Sequence, residues 1–165
     1  MMTPFPQLKL RQTFRQNGAR LIPYLLEQFL SWQKKVVRRE DEKENLHEMR
    51  LAGKRLRYVL EIYRPVYGKT FAACLKEITG LLDIMGAIHE CDVADVVLRD
   101  YLEEVKVHNQ VIADQAHKLS IAVIQDLIRK EHSKRKHLFM EMQKILWKWE
   151  SERFKINLSD IVKSA

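Results

Sequence analysis

The chain has 165 residues, 29 Lys and Arg against 22 Asp and Glu, a formal charge of +7 and 46% hydrophobic residues. That is a normal balance for one globular domain, and the basic excess favours anionic partners (nucleic acid, an anionic membrane or polyphosphate) without choosing among them. Cys74 and Cys91 are too few for a disulfide framework or a cysteine-rich zinc site, and no apolar run reaches the length of a membrane span.

The opening MMTPFPQLKLRQTFRQ has no continuous apolar core and does not read as a signal peptide. Residues 1–18 are expected to be irregular or a docking segment, with Leu8, Leu10 and Phe14 as its apolar positions. The first helix is predicted from about Ala19 to Arg39, where Ile22, Leu25, Leu26, Phe29, Trp32 and Val36 recur at helical spacing. Pro23 fits only a first turn, which puts the start near Leu21. Glu40 to Glu44 reads as a charged hinge, with Asn45 as the cap of the next helix.

That helix, Leu46 to Arg64, carries the most informative pattern. At 100° per residue, Met49, Ala52, Leu56, Val59, Leu60 and Tyr63 share one apolar arc. His47, Arg50, Lys54 and Arg57 share a second arc about 80° wide, running about 15 Å along the axis. No acid lies between Glu48 and Glu61. A solvated helix face ordinarily mixes both signs, whereas this row suits an extended polyanion. Pro65 is expected to kink or end the helix and Gly68 to stop it.

A third helix is expected from about Thr70 to Met85, ended by Gly86, and a fourth from about Ile88 to Val107. From Gln110 to about Lys155 the pattern gives one broken or two consecutive helices. Their stripes are Ile112, Ala116, Leu119, Val123, Leu127 and then Leu138, Met142, Ile145, Trp149. The densely charged Arg129 to His137 is the expected break. No strand alternation is visible, so the fold class is all-α: an antiparallel bundle of about five to six helices in a single domain, 1–165.

The signature helix resembles the CHAD family, the conserved histidine α-helical domain. The resemblance rests on His47, Arg50, Lys54, Arg55, Leu56, Arg57, Tyr58, Leu60 and Glu61. A second family pattern, Leu-Gly-x-x-His/Arg-Asp-x-x-Val, is similar to Met85, Gly86, His89, Glu90 and Val93. Met85 and Glu90 depart from it, and Asp92 matches an acid often found there. The resemblance covers 46–102 and implies a helical domain that binds inorganic polyphosphate in a basic cavity without catalysis. It also implies a prokaryotic cytoplasm, with polyphosphate granules as one destination.

On this reading polyphosphate meets His47, Arg50, Lys54 and Arg57, with secondary help from Arg55, His89 and Arg135. Arginine offers phosphate a planar fork of donors. Each residue has a plainer reading. The row is also what a basic face in water looks like, and Arg55, about 80° away, is placed to pair with a neighbouring acid. Tyr58 reads as packed. His89, at the start of the expected fourth helix, is either an anion ligand or a capping histidine paired with Asp92. Asp92 is also placed to hold an arginine of the signature helix. Arg135 falls on the apolar line of Leu138 and Met142, which marks a helix break or a polar cavity.

Neither HExxH nor an i,i+4 histidine pair is present, and arginines beside His47 oppose a cation, so neither metal nor cofactor is expected. No phosphate loop or nucleophile elbow supports an enzyme. A helical nucleic-acid-binding protein, or an accessory to a phosphate-polymer enzyme, is the alternative. CHAD proteins typically carry the signature twice about a shared cavity and this chain carries it once, so a homodimer is expected to complete the cavity.

Overall fold

The computed structural model describes residues 6–7, 9–38, 43–112, 114 and 118–164. Its helices are α1 (Phe14–Ser31), α2 (Gln33–Arg38), α3 (Lys43–Val111), α4 (Ile121–Ser151) and α5 (Phe154–Ser164). No strand occurs among the described residues. The all-α bundle is as expected. Setting the six-residue α2 aside leaves four helices, fewer than the five to six foreseen.

The first helix begins earlier than its proline suggested. Thr13 is a capping box: its side chain accepts from Gln16 N at 3.2 Å, and Gln16 Oε1 accepts from Thr13 N at 2.9 Å. The capping box satisfies two end donors together and sets the start at Phe14, with Pro23 accommodated inside the helix. Leu8 lies outside the described residues, and Leu10 is fully exposed, so it docks nowhere. The approach to α1 is held instead by Asn17, which accepts from Lys9 N at 2.9 Å and donates to Lys9 O at 3.1 Å. Residues 40–42 of the foreseen hinge lie outside the described residues, and α3 already includes Asn45, which therefore does not cap it.

Gly68 organises α3. Its φ of 78° and ψ of −161° belong to glycine alone, and the rod folds back there. Residues 43–67 form a first arm and 69–111 a second. His47 faces His89, Arg50 faces Gly86 and Gly53 faces Leu82, so as one number rises the other falls. The arms are antiparallel, with Gly68 at the pivot. The expected stop at Gly86 is absent. A helical glycine ends a helix only when it adopts a left-handed conformation, and Gly86 does not.

Helix α4 returns along the second arm. Glu77 accepts from Trp149 Nε1, Asp92 from Arg135 Nε, and Asn109 bonds reciprocally with Leu119, again in descending register. The break expected at Arg129 to His137 does not occur; α4 is continuous there, and the described residues 112, 114 and 118–120 are non-helical, while Ala116 of the expected stripe lies outside the described residues. Charged residues at exposed helical positions cost little, and Lys130–Asp126 and Lys134–Glu131 pair along the same helix. The stripe of Leu119, Val123 and Leu127 is exposed, and Ile124 and Ile128 are buried in its place.

The main core joins α1 (Ile22, Leu26, Phe29), both arms of α3 (Met49, Leu56, Leu60, Ile78, Met85) and α4 (Met142, Leu146). Helix α5 closes it with Phe154, Leu158 and Val162. It follows a turn at Arg153, whose φ is 55°, and the sequence reading missed it. Cys74 and Cys91 are free thiols on buried faces, and burial pushes both up from their ordinary range.

Candidate functional site

The apolar arc of the signature helix faces the core: Met49, Leu56 and Leu60 are fully buried. Its cationic arc is thereby turned toward the second arm, where Gly86 leaves room. A Cβ on Gly86 would stand 3.8 Å from Nη2 and 3.9 Å from Nε of Arg50. The guanidinium thus lies along the backbone of the opposite arm, against a residue with no side chain.

Two clefts adjoin at Arg50. One, of about 480 Å³, is lined by Lys43, His47, Arg50 and His89, with Glu44, Asp92 and an apolar side of Met85, Val93, Val96 and Val97. The other, of about 300 Å³, is lined by Arg50, Lys54 and Arg57, with Asp83 and Glu90 across from them. The expected cavity is therefore mixed in charge. Acids absent from the signature helix arrive from the second arm. The imidazoles of His47 and His89 approach to 6.0 Å between ring centroids.

Among the described residues Arg50 and Lys54 are paired with no carboxylate. Arg57 Nε lies 3.4 Å from Glu61 Oε1 as an i,i+4 ion pair, buried and without hydrogen-bond geometry. Its guanidinium also sits 5.0 Å from the ring centre of Tyr58. Tyr58 is half exposed rather than packed in the core. Arg55 is exposed and lines neither cleft.

A family model described as CHAD domain matches residues 5–99, more than half of the chain. The chain belongs to the CHAD family. No curated protein and no solved structure matches it. The fold explains why the two CHAD patterns occur together. The glycine of the second sits opposite the first arginine of the first, and their histidines meet across the arms.

Other CHAD positions differ from expectation. His89 lies in the middle of the second arm, so no helix N-terminus supplies amide donors beside it. Asp92 holds no arginine of the signature helix. It accepts from Arg135 Nε at 2.8 Å and Lys43 Nζ at 3.0 Å, with both carboxylate and guanidinium largely buried. Arg135 is thereby placed in a third cleft, away from His47. The basic line Lys130, Lys134, His137, Lys144, Lys148 is a solvated face.

Lys43 was read as part of a hinge, yet it extends the cationic row by one turn. At positions i, i+4, i+7, i+11 and i+14, Lys43, His47, Arg50, Lys54 and Arg57 share an arc of about 80° over about 21 Å. That spacing was visible in the sequence; the acids around Lys43 obscured it.

Among the described residues no three His, Cys, Asp or Glu side chains gather as a metal site requires. No described helix is long and apolar enough to cross a membrane.

Proposed function

We propose that this CHAD protein binds inorganic polyphosphate, without catalysis, along the row Lys43, His47, Arg50, Lys54 and Arg57, with His89 facing it from the second arm. The observation that carries the reading is Arg50. It is shared by two adjoining clefts, held over a glycine and paired with no carboxylate among the described residues. A guanidinium so placed offers its fork to phosphate oxygens, and contacts repeated along a polymer add up.

A helical nucleic-acid binder would share the charge logic. Competition separates the two. Long-chain polyphosphate, single-stranded DNA and duplex DNA are titrated against one fluorescent polyphosphate probe. Displacement by polyphosphate at far lower phosphate concentration supports the reading, and equal displacement by DNA overturns it.

The proposal extends to a homodimer. The larger cleft is open along Val93, Val96 and Val97, which are 50%, 54% and 60% exposed. A second copy laid on this edge would cover the valines and add a second cationic row.

A further inference from the structure

The second arm and α4 enclose a third cleft, of about 410 Å³, lined by Lys43, Asp92, Asp95, Arg99, His132, Arg135 and Lys136. It shares Lys43 and Asp92 with the His47 cleft, so the two are contiguous. Most of its cations come from 99–136, none of which belongs to the signature helix.

The charges are layered. Asp92 and Asp95 lie deep, with side chains 11% and 15% exposed, while Lys43, Arg99 and His132 above them are 52%, 55% and 51% exposed. Each carboxylate is neutralised from within the cleft. Asp92 accepts from Lys43 and Arg135; Asp95 Oδ1 accepts from Arg99 Nε at 2.9 Å and His132 Nε2 at 2.7 Å. Burial raises the Asp95 carboxyl, but these hydrogen bonds outweigh it and hold the group below its ordinary range. Both carboxylates are therefore already covered by cations. An approaching anion meets Lys43, Arg99, His132 and Lys136 first.

We propose that this cleft is a second anion site, which takes the continuation of a polyphosphate chain held at Arg50 and passed over Lys43. The inference rests on the polyphosphate reading above and extends it from one row on one helix to a track crossing three helical segments. The chemistry selects a flexible linear polyanion. Such a chain can bend from the groove between the arms into the cleft beside α4, whereas a stiff duplex cannot.

The test uses the whole protein and two readouts. The first is the binding of long-chain polyphosphate to Arg99→Gln/Lys136→Gln, which leaves His132 on Asp95 and the Arg50 row untouched. Loss of about tenfold in affinity is expected. The second is the set of imidazole NMR resonances of the unmodified protein during titration with long-chain polyphosphate, where His132 should shift together with His47 and His89. Should the double variant not fold, the spectra decide alone. A variant that binds as tightly as the wild type, or a stationary His132 while His47 and His89 shift, overturns the second site and leaves the first. Stationary signals from all three imidazoles overturn both.

Discussion

His47 and His89 face each other across the two arms of α3, with ring centroids 6.0 Å apart. Protonating both in the free protein sets like charges side by side, and a polyanion between them offsets that repulsion. By linkage, binding takes up protons and polyphosphate affinity rises as pH falls from about 8 to 6. His47→Gln/His89→Gln should flatten the profile in a fluorescence titration. A double variant with the wild-type slope would remove the imidazoles from the account.

Asp92 should trade stability against affinity. It compensates the largely buried Arg135 and also lines two clefts of the proposed track. Asp92→Asn weakens the pair with Arg135 and costs about 2 kcal/mol, less than for a fully buried pair because the cleft is open to water. It also removes a negative charge from the path of the anion. Urea unfolding should therefore show a less stable protein, while polyphosphate binds severalfold more tightly. Weaker binding by the folded variant would show that Asp92 positions the cations more than it repels phosphate.

Two glycines of α3 should respond in opposite ways to alanine. A Cβ on Gly53 would stand 2.5 Å from Leu82 Cδ2 and 2.9 Å from Phe29 Cε2, where first arm, second arm and α1 meet. Gly53→Ala is expected to cost about 1–3 kcal/mol. Gly80 has no atom within 4 Å of that position, so Gly80→Ala should gain up to about 1 kcal/mol from helix propensity. Thermal melts of the pair check this; equal shifts would show that the arms do not pack as closely as their contacts indicate.

The homodimer has a direct mass readout. The chain is 19.6 kDa, and light scattering on a sizing column should give twice that, more fully with short polyphosphate present, because the anion screens two opposed cationic rows. Val97→Lys should return the protein to one chain. A single-chain mass with and without polyphosphate would leave the dimer without support.

The cationic row was legible because helical spacing is local. Residues three and four apart share a face whatever surrounds them, so His47, Arg50, Lys54 and Arg57 were read directly and Lys43 was not. Gly68 was legible for a related reason, as glycine after a long apolar pattern commonly ends a rod. The acids across the clefts were not. Asp83 and Glu90 enter only because Gly68 folds the second arm back, and Asp92 meets Arg135 only because α4 returns in register. Gly86 was misread because it is close to the backbone of nothing local; its neighbour is Arg50 on the other arm. The start of α1 was available in Thr13-Phe14-Arg15-Gln16, a capping box that the proline at position 23 overshadowed.

The central claim is that cations of the signature helix hold polyphosphate through donors they do not spend on the fold. Arg50→Ala/Arg57→Ala tests it most directly, since both side chains point away from the core and neither is locked to a buried carboxylate among the described residues. Long-chain polyphosphate affinity, read by fluorescence anisotropy beside a circular-dichroism melt of the same sample, should fall about 100-fold with the melt nearly unchanged. Wild-type affinity in the folded double variant would contradict the account.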